Sequence, residues 1–351
     1  MSRRVYSMRM LVVAMVAVAV AACAVGANAS VVIDTVTVGN VGNAADTRYN
    51  SMAVGAVGYT YQMAKYDVTA GQYTAFLNAV AATDTYGLYG TGMNYDSSPA
   101  AWGCNIDRSG SSGSYTYSVA PDWANRPVNL VGWGDAARFA NWLYNGQPTG
   151  PQGLATTEDG SYYLNGATSN AALMVVTRKA NATWVIPSED EWYKAAYYDP
   201  AQPGGAGYWD YPTRSNTVPG NVLDPAGTNN ANHYDYSGTG SFTIGAPYWR
   251  TEVGAFAASP SAYGTFDQGG NVYQWNEANI SGGSRGLRGG SFYDLGNNLR
   301  ASDRSYSLLV TPTDEYNDIG FRVSEVPEPA SLVIMALGGG GMLLRRRTLG
   351  R

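Results

Sequence analysis

Apolar and polar residues alternate in VVIDTVTVG and VGYTYQM, which flank a loop rich in Asn, Gly and Asp. This period of two predicts an opening pair of strands within residues 31–64. Thr69 followed by Gln72 then has the form of a capping box, with Tyr73, Phe76, Leu77 and Val80 at helical spacing behind it. That predicts a helix over 70–81. Residues 84–125 have no helical period and many turn formers, so they predict a long loop region with one short strand near 115–119.

A second helix is predicted over 135–143, where Ala136, Phe139, Ala140 and Leu143 fall at core spacing. The polar insertion 145–170 predicts a hairpin or an exposed loop. Ser188 and Glu191 form another capping box, opening a third helix to about residue 197. Residues 199–250 read as loops rich in Pro, Gly, Asn and Tyr. From 266 to 323, short aromatic and β-branched runs are separated by glycine pairs at 269–270 and 289–290, which suits short strands joined by tight turns. A few short helices beside many short strands and long loops give an α+β class. No internal repeat appears, and no linker divides the body.

The first 29 residues carry Arg3, Arg4 and Arg9, an apolar core over 10–22, and Ala27-Asn28-Ala29 ahead of Ser30. This is the pattern of an export signal, and its apolar run is short for a bilayer span. An alternative boundary is a lipoprotein-like box ending at Cys23, whose thiol would be acylated. Without 1–29 and 326–351 the body is 296 residues long, with 15 basic against 26 acidic side chains. A net charge near −11 argues against nucleic acid or an anionic membrane surface as a partner. Cys104 is the one cysteine of that body, so no internal disulfide can form. With 27 tyrosines and 14% charged residues, the chain suits an aromatic, hydrogen-bonding surface.

GNVYQW, RGGSF, an R-A-S-x-R run and GFRV, in that order, resemble the C-terminal signature of the formylglycine-generating enzyme family, also called sulfatase-modifying factors. KYDVTAGQYTAFL, RPVNLVGWGDAARFANWL and IPSEDEWYKAA agree with it upstream, so the likeness covers most of residues 36–324. The resemblance implies the sulfatase-modifying-factor variant of the C-type lectin-like fold, as one domain over 30–325. The tail VPEPASLVIMALGGGGMLLRRR resembles a PEP-CTERM sorting segment of Gram-negative bacteria. That implies an exosortase-type protease as partner, transient membrane contact through 326–351, and a final place in the cell envelope or extracellular matrix.

In the family a cysteine pair after the GGS motif binds copper and performs the oxidation. Soft thiolates are what Cu(I) selects. In RGGSFYDLGNNLRASDR there is no cysteine, and Asp294 stands where the first is expected. A second family branch, the ergothioneine-type sulfoxide synthases, holds iron with three histidines; this chain has one, His233. Copper and iron are therefore not expected. Calcium needs only oxygen ligands. The resemblance puts a structural calcium on the Asp267 carboxylate, the carbonyls of Gly270 and Val272, and the side chain of Gln274, where the family more often has Glu. A second family site would use Asn232 and the His233 carbonyl, although its downstream half does not align.

Gly282-Gly283-Ser284-Arg285-Gly286 matches a nucleophile elbow in letters only, because a strand-like run follows it where the elbow needs a helix. Glu189 and Asp190 read as a helix first turn, Asp314 and Glu315 as a solvated loop. Arg288, Arg300, Arg304 and Arg322 are expected to pair with carboxylates or carbonyls inside the fold. The expected function is an exported binding or structural module with a carbohydrate or protein ligand; an oxidoreductase or protein-modifying enzyme using other residues is the alternative.

Overall fold

The computed structural model describes residues 30–49, 53–94, 102–236, 240–280, 282–304 and 310–328. The expected export signal and the sorting segment beyond Glu328 lie outside these residues. No helix among the described residues is long and apolar enough to cross a membrane.

In chain order the body begins with β1 (Thr35–Val38), β2 (Tyr61–Ala64) and α1 (Ala70–Val80), followed by the ribbon β3 (Ile106–Ser109) and β4 (Thr116–Val119). Next come α2 (Trp133–Tyr144), α3 (Asn170–Met174), β5 (Trp184–Val185) and α4 (Glu189–Tyr197). The short pairs β6 (Tyr198–Asp199) with β7 (Gly207–Tyr208) and β8 (Tyr234–Asp235) with β9 (Ser241–Phe242) follow. The chain closes with β10 (Tyr273–Ile280), β11 (Ser284–Arg288), β12 (Ile319–Gly320) and β13 (Ser324–Glu325). One sheet has the order β1-β2-β13-β5, and a second has β11-β10-β12.

Local chemistry starts the helices as expected. Thr69 and Gln72 exchange both bonds of a capping box at α1, and Ser188 and Glu191 do the same at α4. Helix α2 starts two residues before the expected Asp135, because the Asp135 carboxylate accepts the Gly132 N–H (2.8 Å) and so serves as the cap from inside the first turn. The core lies between α1, α2 and the first sheet. Phe76 and Phe139 meet edge to face at 5.3 Å, and Phe139 meets Phe321 in the same way at 5.4 Å.

The insertion after α2 corrects the expectation of an exposed loop. Glu158 is buried and pairs with Arg138 of α2 (2.7 Å), while its second oxygen accepts the Gly166 N–H (2.7 Å). Tyr162 is fully buried beside Trp133, and Asn141 of α2 binds the chain at Thr157 and Tyr162. A polar segment is buried here because α2 supplies a partner for its central charge. The strand near residue 116 is present, and its partner β3 was not expected: the charges in IDRS hide its two-residue period.

Candidate functional site

The turn before β10 has an unusual backbone. Asp267, Gly270 and Asn271 are all left-handed (φ +57°, +84° and +62°). At Gly270 a Cβ would lie 2.2 Å from the Asn232 carbonyl oxygen, so the close approach of these two segments needs glycine there. The Asn271 N–H donates to that same carbonyl (2.9 Å). Asn271 Oδ1 accepts from Asn232 Nδ2 (2.8 Å) and from the Thr251 N–H (3.0 Å).

Asp267, Gly270 and Val272 lie in this turn, whereas Gln274 is the second residue of β10 and is fully buried. Gln274 Oε1 accepts from Trp192 Nε1 (2.7 Å) and Arg322 Nε (2.6 Å), and its Nε2 donates to the Asp267 carbonyl (2.8 Å). That oxygen already has two donors, one of them a guanidinium. It does not fit a cation unless both are released. The Asp267 carboxylate and the carbonyls of Gly270 and Val272 are then the donors left for calcium. Asp267 Oδ2 accepts the Gly254 N–H (2.7 Å), and burial pushes its pKa up to about 6 against that bond and the Arg322 charge. Among the described residues, no three of His, Cys, Asp and Glu group closely enough to hold a metal ion.

After β11, the GGS turn is closed by Asp294. Its carboxylate accepts the Ser291 N–H (3.0 Å) and the Ser291 hydroxyl, and the Tyr273 side chain also bonds to it. Burial raises the Asp294 pKa against these hydrogen bonds. The residue at the position of the expected first cysteine thus clamps a turn. Cys104 is free and fully buried, and burial pushes its thiol up. A thiol reagent is expected to leave the native protein unmodified and to label one thiol per body after denaturation. Rapid labelling of native protein would show that Cys104 is reachable.

Arg288, Arg304 and Arg322 pair inside the fold as expected, whereas Arg300 is exposed and makes its pair at the surface. Arg288 holds Glu189 (2.6 Å) and the Ala301 carbonyl (2.8 Å), Arg304 also reaches Glu189, and Arg300 pairs with Asp210 (2.9 Å). Ser188, Glu189, Asp190 and Glu277 line an open groove. Burial raises the pKa of Asp190 and of Glu277. Below them Arg178 forks onto both oxygens of Glu191 (2.8 Å each). Burial raises Glu191, but Arg178 outweighs it and holds the carboxyl below its ordinary range.

An aromatic cluster was missed in the sequence. Trp102 meets Tyr293 at 5.2 Å, Trp249 at 6.2 Å and Phe292 at 6.1 Å. Phe242 joins Trp249 to Tyr234, each at 4.8 Å, and faces Tyr293 at 6.1 Å with 29° between planes. None of these rings belongs to the hydrophobic core clusters. Phe292 is buried, Tyr293 is 54% exposed, and the others are half-buried. Tyr293 immediately precedes Asp294, so the cluster flanks the GGS turn. Only RGGSF hinted at it; the other rings come from segments far apart in sequence.

The chain belongs to the sulfatase-modifying factor enzyme 1-like domain family, whose model matches residues 23–326. The expected α+β architecture, with four helices among the described residues, short strands and small mixed sheets, is what is observed. No curated protein matches the sequence. Similar solved structures include Treponema denticola variable protein 1, at 20% identity and a TM-score of 0.48, covering 85% of this chain and 97% of that one. CarF is similar at 20% identity and 0.46 (85% and 100%), and PvdO from Pseudomonas aeruginosa at 18% and 0.43 (84% and 91%).

Proposed function

We propose that this chain is a non-oxidising member of its family, a binding or structural module exported from a Gram-negative cell. Its PEP-CTERM-like tail would be processed by an exosortase-type protease, leaving the body at the cell surface or in extracellular polysaccharide. The observation that carries the reading is Asp294, a carboxyl tied to Ser291 where the family resemblance puts the first copper-binding cysteine. A carboxylate is a hard ligand and does not replace a thiolate toward Cu(I). Incubated with copper and a sulfatase peptide containing the target cysteine, the body is expected to leave the peptide mass unchanged. A mass change matching aldehyde formation would overturn the reading. For the sorting part, protein from the native cell is expected to start near Ser30 and to lack the arginine cluster at 345–347; intact ends on released protein would contradict it.

The alternative, a protein-modifying enzyme or oxidoreductase using other residues, draws on the groove where Asp190 and Glu277 are raised together. A structural calcium at the turn before β10 is a separate proposal, with Asp267 and the carbonyls of Gly270 and Val272 as ligands and Gln274 joining only if Trp192 and Arg322 release it. Low-charge extracellular sites bind at about 10⁻⁴–10⁻³ M. Millimolar calcium should then stabilise the fold by roughly 1–2 kcal/mol by mass action. Asp267→Ala should abolish that gain and Gln274→Glu enlarge it. Calcium-independent melting of all three proteins would leave hydrogen bonds as the sole closure of the turn.

A further inference from the structure

We infer that the aromatic cluster around Trp102 and Tyr293 is a binding platform for an uncharged oligosaccharide. This rests on the non-oxidising reading, since it assigns a ligand to the surface beside the GGS turn. Beneath the rings lies an unsatisfied polar floor. Arg250 and Asn129 are fully buried and Asn232 nearly so, and Arg250 Nε, Asn129 Oδ1 and Asn232 Oδ1 have no hydrogen-bond partner. The indole nitrogens of Trp102 and Trp249 are unpartnered as well. Five of the eleven such buried atoms among the described residues are therefore at this one place. Buried polar atoms are nearly always satisfied, so their concentration here marks a place where a ligand or its water completes the bonding.

The floor is joined directly to the rings. Arg250 Nη1 donates to the Trp102 carbonyl (2.9 Å), and Asn129 Nδ2 donates to that same oxygen. Asn232 Nδ2 donates to the Trp249 carbonyl (3.0 Å). A ligand seated on Trp102 and Trp249 would thus rest on residues fixed by hydrogen bonds.

The ligand class follows from matching these groups. A pyranose has an apolar C–H face that stacks on an aromatic ring, and a rim of hydroxyls that both donate and accept. The cluster offers ring faces together with orphan donors on Trp102, Trp249 and Arg250 and orphan acceptors on Asn129 and Asn232. Anionic sugars fit less well: the cation packed against these rings, Arg250, is fully buried, and its two terminal nitrogens are already bonded to the Trp102 and Gly103 carbonyls.

The test uses the folded body and a panel of neutral tetrasaccharides of glucose, mannose and galactose, read by tryptophan fluorescence and calorimetry. At least one is expected to bind at millimolar concentration and to shift the emission. Tyr293→Ala should weaken it about tenfold, a change well within the worth of one stacked ring. Tyr293→Phe should keep most of the affinity, which separates stacking from loss of the hydroxyl. Tyr293 is exposed, so both variants should melt like wild type; Trp102→Ala is added only if it remains folded. No binding across the panel, binding unaffected by Tyr293→Ala, or preference for uronic-acid tetrasaccharides or for a peptide would each overturn the inference. Such failures leave the absence of aldehyde formation standing, whereas aldehyde formation overturns the parent reading without touching the fluorescence result.

Discussion

Arg322→Met is expected to destabilise the body by about 3–5 kcal/mol, the usual cost of removing one partner of a buried ion pair. Arg322 is fully buried and ties four segments together. Its Nη1 donates to the Ala64 carbonyl at the end of β2 (2.9 Å), its Nη2 to Asp67 (3.1 Å) and the Phe266 carbonyl (2.8 Å), and its Nε to Gln274 in β10 (2.6 Å). Methionine fills much of the volume and makes none of these bonds. It would leave Asp67 charged or newly protonated in a dry site, where one carboxylate oxygen is already unpartnered. Urea denaturation measures the loss. The double variant Arg322→Met with Asp67→Leu should recover part of it, because the stranded carboxylate is then gone. A midpoint for Arg322→Met within about 1 kcal/mol of wild type would show that the arginine is dispensable.

The second large effect is on pH. Without calcium, stability is expected to be greatest near pH 4 and to fall as pH rises from there toward 8. Burial raises Asp267 to about 6 and also raises Asp135. A carboxyl raised in the folded state binds its proton more tightly there than in the unfolded chain. Its contribution is complete below the ordinary range near 4 and is lost as pH climbs through the raised value. For Asp267, a rise from 3.8 to about 6 corresponds to roughly 3 kcal/mol lost by pH 8. Asp46 and Glu191 act in the opposite sense. Arginine contacts outweigh their burial and hold them low, so their contribution disappears as pH falls below about 4. Asp267→Asn can still accept the Gly254 N–H and should flatten the decline between about pH 4 and 6. Equal slopes for wild type and variant in EDTA would exclude Asp267 as its source.

The two capping boxes were legible because each is complete within four residues, whatever the rest of the chain does. The start of α2 was misplaced because Gly132 has no capping side chain and Asp135 does the work from inside the helix. Burial of the segment after α2 was not legible, since it depends on one pair, Arg138 with Glu158, whose members read separately as a helix surface and a loop. At the candidate site, the residues around Asp267 could be named in advance because family resemblance places them in one continuous run. The partners that fix Gln274 could not, because Trp192 and Arg322 come from other elements. The aromatic cluster was hidden for the same reason: its rings stand at 102, 234, 242, 249 and 292–293, and no local period connects them.

The position of β13 has a consequence in time. Ser324 and Glu325 lie inside the first sheet, with β2 on one side and β5 on the other. Arg322, two residues earlier, bonds to residues near the beginning of the body. During synthesis, the opening hairpin and the first two helices must therefore wait for almost the whole chain before that sheet can close. Such long-range closure is slow and leaves the edges of β2 and β5 open in the interval. A nascent chain stalled before residue 322 should remain protease-sensitive, and one extended past residue 328 should acquire resistance in a single late step.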